Sequence, residues 1–170
     1  MQTITSAKTS LNQIPALHKK IDFQSGTTNL DYGGGAYEKT SEWLYDTYNV
    51  RNVVYDPFNR YDGYTVRVVN SCFINPTDSC TCANVLNVID CSYSRRGVLR
   101  GIAAMTKINA PVYFWVHEGD RTGKGNLTKN GECWQENRKT EDYLEEIRAV
   151  FPNATRKGRV ISATNSGGIL

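Results

Sequence analysis

The sequence lacks any apolar run near the roughly 20 residues of a membrane-spanning helix, and its beginning lacks the apolar stretch of a secretory signal. We therefore expect a cytoplasmic protein. Five cysteines, an odd number without an export signal, argue against a disulfide framework. Cys80 and Cys82 are separated by one residue rather than the two of a zinc knuckle. We expect no metal site, and the cysteines are interpreted as small buried apolar residues.

Length and charge also restrict the possibilities. The 170 residues, 39% of them hydrophobic, suffice for one domain with a real core and leave no room for a separate target-recognition domain. We expect a single domain over residues 1–170. The net charge of +3 is far below that of a dedicated nucleic-acid binder and is compatible with an ordinary soluble surface.

The most informative stretch present is Thr28–Arg60. It reads as a strand, a glycine loop at Gly33-Gly34-Gly35, a helix, and a second strand that ends at Asp56. Glycines allow a sharp turn and close approach to a ligand, and an acid after the second strand can accept hydrogen bonds from ribose hydroxyls. Gly35 and Asp56 are 21 positions apart, close to the roughly 20 expected for that contact.

The glycine pattern differs from that of dinucleotide-binding proteins, because Gly35 is followed by Ala36, Tyr37 and Glu38, and Glu38 stands where the third glycine of Gly-x-Gly-x-x-Gly would be. An acid two positions before the first glycine, as in Asp31-x-Gly33-x-Gly35, resembles instead the first motif of class I S-adenosylmethionine (SAM) methyltransferases. The resemblance implies that the loop binds the amino-acid end of SAM and that Asp56 binds its ribose. The cofactor residues it implies are Asp31, Tyr32, Gly33, Gly34, Gly35, Asp56, Pro57, Phe58 and Asn84.

Strand-like and helix-like patterns alternate along the rest of the chain. The predicted strands are Thr28–Tyr32, Asn52–Tyr55, Tyr64–Asn70, Cys80–Asn84, Val112–Val116 and Arg159–Ala163, and the predicted helices are Tyr37–Tyr48, Ser94–Lys107 and Glu141–Val150. This alternation predicts an α/β fold with a mostly parallel central sheet and helices on both faces. Ligands of such sheets bind at the carboxyl ends of the strands, where we expect Asp31, Asp56 and Asn84.

Further motifs extend the resemblance over nearly the whole chain. They are Ile14-Pro15-Ala16, Tyr55-Asp56-Pro57-Phe58-Asn59-Arg60, Asn84-Val85-Leu86-Asn87-Val88-Ile89, Glu118-Gly119-Asp120 and Cys133-Trp134-Gln135-x-Asn137-Arg138-Lys139. Together they resemble a family of small, phage-encoded methyltransferase-like proteins. This resemblance implies a Rossmann-like methyltransferase fold and SAM as cofactor, and brings no substrate. The Asn-Pro-Pro-Tyr motif of DNA amino-methyltransferases and a Pro-Cys nucleophile are both absent.

Two residues are candidates for catalysis. Asn84 ends the predicted fourth strand, where the resemblance implies a polar residue that faces cofactor and substrate. Taken alone, Asn84 is more simply interpreted as a turn or cap residue, and its place in the ordered series of motifs favours the pocket. His117 follows the apolar fifth strand and could remove a proton from an acceptor, since a histidine pKa can lie near neutrality. A plain surface position is the simpler interpretation of His117.

The segment Glu118–Arg138 is polar and rich in glycine, and it suits a substrate loop or lid. Its candidate substrate-binding residues are Arg121, Lys124, Trp134, Gln135 and Arg138. Trp134 could instead pack on the loop itself. A phosphate loop is not indicated, because Gly125 follows Lys124 where a hydroxyl residue is required.

The sequence therefore favours a SAM-dependent methyltransferase with an unidentified acceptor, either a small molecule or an accessible group on a nucleic acid or protein. A non-catalytic SAM-binding phage protein, acting by sequestration or regulation, is the alternative. An NAD-dependent oxidoreductase is disfavoured by the missing glycine. A phage-encoded protein would act in the host cytoplasm, and the sequence indicates no particular oligomeric state.

Overall fold

Side chains alternate between two environments along the central strands. In the strand around Leu30, that residue faces an apolar core while its neighbours Asn29 and Asp31 are buried on the other side. The strand around Cys80 repeats the pattern, with Cys80 and Cys82 in the core and Thr81 opposite. A period of two with both faces buried is typical of a sheet covered on both sides.

The computed structural model describes residues 11–128, 131 and 133–167. The strands are β1 (Thr28–Tyr32), β2 (Arg51–Tyr55), β3 (Ser79–Ala83), β4 (Pro111–Trp115), β5 (Asn126–Leu127), β6 (Trp134–Gln135), β7 (Thr155–Lys157) and β8 (Val160–Thr164). The helices are α1 (Lys39–Tyr48), α2 (Asp62–Ile74), α3 (Ser92–Met105) and α4 (Leu144–Arg148), with 3₁₀ turns at Leu86–Val88 and Thr140–Tyr143.

The main sheet has six strands in the order β2-β1-β3-β4-β8-β7. Strands β2, β1, β3 and β4 are parallel, whereas β8 is antiparallel to both β4 and β7. Strands β5 and β6 form a separate antiparallel pair. The predicted α/β fold with a mostly parallel central sheet is confirmed. The order reverses at β1, whose neighbours β2 and β3 both follow it in the chain, so the carboxyl end of β1 is where a ligand site is expected.

The two faces of this sheet differ in chemistry. The apolar face packs against α2, α3 and α4 in one core that includes Leu30, Leu99 and Ile147. On the polar face, Ser41 of α1 accepts a hydrogen bond from Asn52, and Asn52 in turn donates to Asp31. Helix α1 and the segment 11–27 therefore cover a layer of polar side chains together with buried apolar residues such as Leu17, Leu44 and Val54, which lie outside the main core.

The strand predicted at Tyr64–Asn70 is wrong, because these residues lie within helix α2. Their β-branched valines favoured a strand, but Val68 and Cys72, four positions apart, are the residues that the helix buries. A helix is needed here because β2 and β3 run parallel on opposite sides of β1, so the chain must cross the sheet between them.

Other boundaries also differ from the predicted ones. Strand β3 ends at Ala83, and the chain turns at Asn84 instead of continuing as a strand. Helix α3 begins and ends two residues earlier than predicted, and Glu141–Val150 is split between a 3₁₀ turn and the short α4. The strands β5, β6 and β7 were not predicted. All three have two or three residues, too few to show periodicity.

The five cysteines are free thiols. Burial raises the pKa of both Cys80 and Cys82, which makes them poor thiolates and agrees with their interpretation as apolar core residues. Within the described ranges, no group of three or more His, Cys, Asp and Glu side chains could hold a metal ion. No helix in the described part of the chain has both the length and the apolar character to cross a bilayer.

Candidate functional site

A cavity of ≈ 330 Å³ opens at the carboxyl ends of β1, β2 and β3. All of the residues proposed from the sequence as cofactor ligands line it: Asp31, Tyr32, Gly33, Gly34, Gly35, Asp56, Pro57, Phe58 and Asn84. Their roles stay predictions, but the fold brings them to one place.

The glycine loop lies where no side chain fits. Gly33 and Gly35 have φ angles of 78° and 79°, in the left-handed region that favours glycine. A Cβ atom on Gly33 would lie 2.3 Å from Val85 Cγ2, and one on Gly34 would lie 2.7 Å from Asp31 Oδ2. The Gly34 N–H makes no hydrogen bond to any described residue, which leaves a donor in the cavity wall.

The peptide groups of Gly35 are held from both sides by the segment that follows β2. Its N–H donates to Asp56 Oδ2 at 2.8 Å, and its carbonyl accepts from Arg60 Nε, also at 2.8 Å. The Arg60 guanidinium additionally pairs with Glu38 and lies over the ring of Tyr64. The loop conformation is thus fixed by side chains about 20 positions away in sequence.

Asp56 is 4% exposed and accepts four hydrogen bonds. Oδ2 accepts from Gly35 N at 2.8 Å and from Asn59 Nδ2 at 3.0 Å. Oδ1 accepts from the backbone N–H groups of Phe58 and Asn59, both at 3.0 Å. The carboxylate that was predicted to bind ribose therefore also organises the loop around it.

A buried polar network lies beneath the loop. Asp31, 1% exposed, accepts from Thr81 Oγ1 at 3.3 Å and from Asn52 at 3.4 Å, and its Oδ2 lies 3.7 Å from His18 Nε2. His18 is fully buried and also contacts Thr81 Oγ1 at 3.1 Å, while its Nδ1 has no partner among the described residues. Burial lowers the pKa of His18, and the nearby Asp31 opposes this shift only in part. A neutral imidazole at neutral pH follows, so Asp31 has no cationic partner in this network.

Sequence reasoning missed His18 and its polar neighbours. The available signal was the alternation of Asn29 with Asp31, and of Ser79 with Thr81, inside strands whose intervening residues are apolar. Such polar positions in a sheet buried on both faces require partners. Leu11, Gln13 and Pro15, before the first strand, also line the cavity; the motif Ile14-Pro15-Ala16 includes one of them, but no cofactor role was predicted for any of the three.

Charge in the cavity is unbalanced. Among the described residues, its lining contains the two carboxylates of Asp31 and Asp56 and one basic side chain, the exposed Lys39. The cavity therefore favours a ligand with positive charge, because an uncompensated carboxylate away from water is costly.

Asn84 occupies the turn directly after β3. Its φ of 60° is left-handed, a conformation that asparagine tolerates better than most residues. Its N–H donates to the Trp115 carbonyl at 2.7 Å, while its exposed side-chain amide bonds to no described residue. Asn84 is thus a turn residue that also lines the cavity, and its role there stays a prediction.

His117, the second catalytic candidate, does not line the cavity. Its N–H donates to Asn87 Oδ1 at 3.3 Å, and its carbonyl accepts from Gln135 Nε2 at 2.9 Å. Its imidazole is on an exposed residue beyond β4. Its catalytic role stays a prediction without support from its position.

The predicted substrate residues Arg121, Lys124, Trp134, Gln135 and Arg138 also lie outside the cavity lining. Most of them bond to residues of their own segment or to the neighbouring residues Asn87 and Glu146. Arg121 pairs with Glu118 at 2.7 Å, and the buried Gln135 accepts from Asn87 Nδ2 at 3.1 Å. Lys124 is exposed.

Trp134 and Arg138 are held in the same way. The Trp134 indole donates to Glu136 at 2.8 Å and lies where a Cβ on Gly125 would clash at 2.1 Å. Arg138 pairs with Glu146 at 2.7 Å and stacks over the Tyr143 ring at 4.4 Å. Trp134 therefore packs on its own loop, the alternative that the sequence left open.

No family model matches the sequence, and no curated protein matches it. Similarity to solved structures is clear. PigF, solved with S-adenosylhomocysteine (SAH), is 17% identical with a TM-score of 0.58 over 88% of this chain and 54% of its own. Human N-acetylserotonin methyltransferase, solved with SAM, is 17% identical with a TM-score of 0.56 over 81% and 47%. The chain has the Rossmann-like methyltransferase fold.

A third similar structure was solved with two ligands bound. Phosphoethanolamine N-methyltransferase 2 of Haemonchus contortus, in complex with phosphomonomethylethanolamine and SAH, is 15% identical with a TM-score of 0.54. The match covers 82% of this chain and 37% of that enzyme. The present chain spans about half the length of the first two structures. At these identities the likeness concerns the fold.

Proposed function

We propose that this protein binds SAM in the cavity at the ends of β1, β2 and β3 and transfers its methyl group to an acceptor. The observation that carries the proposal is the convergence of the glycine loop, Asp31 and Asp56 on one cavity of suitable size. Two of the proteins with the same fold are solved with SAH and one with SAM, which supports the assignment without extending their substrates to this chain.

Charge supports SAM over a dinucleotide. SAM carries a sulfonium and an ammonium group against one carboxylate, whereas the pyrophosphate of NAD is anionic. The two carboxylates and one lysine that the described residues contribute to the lining match the net positive charge of SAM. Helix α1 also begins at Lys39, four positions after Gly35, with Glu38 at its N-cap. A negative side chain there disfavours a phosphate at this helix end.

We match each residue of the cavity to the part of SAM that its chemistry suits. The free N–H of Gly34 suits the carboxylate of the amino-acid end, and the buried Asp31 suits its ammonium group. Asp56 suits the ribose hydroxyls. Pro57 and the half-exposed Phe58 ring offer an apolar wall for the purine.

SAM, when bound, supplies an electrophilic methyl group on sulfur. What remains for the chain is to align an acceptor and to exclude water from the reacting atoms. The free amide of Asn84, at the cavity edge, can orient an acceptor by donating or accepting a hydrogen bond. A protein base is optional for a good nucleophile, which is compatible with His117 lying outside the cavity.

Calorimetric titration with SAM, SAH and NAD tests the proposal. We expect SAM and SAH to bind and NAD to give no heat. The variant Asp31→Asn should bind SAM about tenfold more weakly, since a charge-assisted interaction of about 1.4 kcal/mol is lost. Asp62→Asn, an exposed acid outside the cavity lining, is the matched control and should bind like the parent. Binding of NAD without SAM would overturn the assignment.

Catalysis requires a second measurement. Formation of SAH from SAM in the presence of small-molecule, nucleic-acid and protein acceptors separates an enzyme from a SAM-binding protein that acts by sequestration. Tight SAM binding with no turnover on any acceptor class would favour the non-catalytic alternative. Turnover with one class would identify the acceptor.

A further inference from the structure

Asp56 has no acceptor position left for a ligand. A carboxylate offers about four lone-pair sites, and Asp56 already accepts four hydrogen bonds. Two ribose hydroxyls that donate to it must therefore displace a donor. The way in which the site binds a diol therefore depends on which of the four donors to Asp56 can be displaced.

Three of these donors are backbone N–H groups, those of Gly35, Phe58 and Asn59. Removing any of them requires rebuilding the glycine loop or the turn after β2, and the Gly35 peptide is further restrained by Arg60. The fourth donor is the side-chain amide of Asn59, which needs only a side-chain rotation to release Oδ2.

Asn59 also has a free acceptor beside the cavity. It lines the cavity and is half-buried, and its Oδ1 bonds to none of the described residues. A carboxamide offers both a donor and an acceptor, so it can bind a hydroxyl in either direction. The neighbouring Arg60 cannot take this role, because its guanidinium is already committed to Gly35 and Glu38.

We propose that Asn59 is a specificity-determining residue that makes this site selective for the vicinal diol of ribose. One hydroxyl donates to Asp56 Oδ2 in place of the Asn59 amide, so that Asp56 keeps four hydrogen bonds. The released carboxamide bonds to the second hydroxyl, which restores its own lost bond. A ligand that lacks either hydroxyl cannot complete this exchange: without the first, Asp56 keeps its bond to Asn59 and gains none from the ligand, and without the second, the released carboxamide has no new partner. The inference rests on the proposed binding of SAM.

Calorimetry with SAH and with its 2′-deoxy and 3′-deoxy forms tests the inference. We expect the parent to prefer SAH about tenfold over each deoxy form, and Asn59→Ala to reduce that preference to about twofold or less, since one hydrogen bond changes affinity by roughly three- to tenfold. Asn126→Ala, an exposed asparagine in β5, is the matched control and should keep the parent's preference.

The outcomes separate the possible roles. A parent-like preference in Asn59→Ala would overturn the inference, as would an equal loss for all three ligands, which indicates a structural role in the turn. If Asn59→Ala unfolds, Asn59→Ser carries the same test with a smaller polar group. If the parent binds none of the ligands, the proposed function fails and this inference fails with it. If SAH binds but selectivity does not depend on residue 59, the inference alone fails.

Discussion

Two glycine-bearing segments follow parallel strands at the same edge of the sheet and differ in what they do with their polar groups. In the loop Gly33–Gly35, the Gly34 N–H bonds to none of the described residues and lies beside a cavity, over the buried Asp31. The segment from Glu118 to Arg138 pairs most of its described charged and amide groups with one another, with Asn87 or with α4. Composition made both segments candidates for ligand binding. The comparison teaches that unsatisfied groups facing a cavity distinguish a site from a structural loop.

Electrostatics agree with this difference. Hydrogen bonds from the hydroxyl and N–H of Thr140 hold the pKa of Glu118 at about 2, against its usual 4.5, and Arg121 adds to the effect. Asp31 has only neutral hydrogen-bond donors and a histidine whose pKa is lowered. The protein itself therefore stabilises the Glu118 carboxylate, whereas the Asp31 carboxylate favours a cationic group supplied by a ligand.

Removing the Asp56 carboxylate should have the largest effect. Asp56→Ala deprives Gly35, Phe58 and Asn59 of their acceptor, so we expect SAH affinity to fall at least ~100-fold and the free energy of unfolding to fall by about 3 kcal/mol. Calorimetry and urea denaturation measure both, with Asp62→Ala as control. If Asp56→Ala binds SAH as the parent does, the glycine loop Gly33–Gly35 is not the cofactor site.

Replacing Glu118 should lower the stability of the fold and leave SAH binding unchanged. Because its folded pKa lies below the unfolded value, the ionised carboxylate stabilises the fold above about pH 4.5, and this contribution is lost as pH falls towards 2. The free energy of unfolding of Glu118→Gln should therefore be about 1 to 2 kcal/mol lower than that of the parent at pH 7, and this difference should disappear at acidic pH. Urea denaturation across pH measures this, and Glu141→Gln, exposed nearby, is the control. A gap that persists at pH 2, or weakened SAH binding at pH 7, would contradict the assignment.

Trp134 should give the smallest effect. Trp134→Ala removes packing on Gly125 and a hydrogen bond to Glu136, both outside the cavity, so SAH affinity should stay within about twofold of the parent. A larger loss of SAH affinity would place the segment from Glu118 to Arg138 at the cofactor. Once an acceptor is known, turnover by this variant sharpens the comparison, since a tenfold loss would assign the segment to acceptor binding.

The residues that the sequence proposed as cofactor ligands line one cavity, and their roles stay predictions, whereas part of the secondary structure around them was predicted wrongly. The spacing of Gly35 and Asp56 was informative because both ends of one strand-helix-strand unit meet at one sheet edge, and the structure bonds the two residues directly. The strand predicted at Tyr64–Asn70 failed because β-branching is a local preference, whereas the topology requires a crossover helix there. His18 was missed because its importance depends on contacts with Asp31 and Thr81, far from it in sequence.

The sequence by itself determined the α/β class, the glycine loop and the acid that follows the second strand, because these depend on backbone conformations and periodicities that a few adjacent residues impose. Only the tertiary structure decided which polar groups remain free for a ligand. Asp56 is filled by donors that include Gly35, and Gln135 is turned inward onto Asn87. Hydrogen-bond satisfaction is a property of groups brought together from distant positions, so local sequence does not determine it.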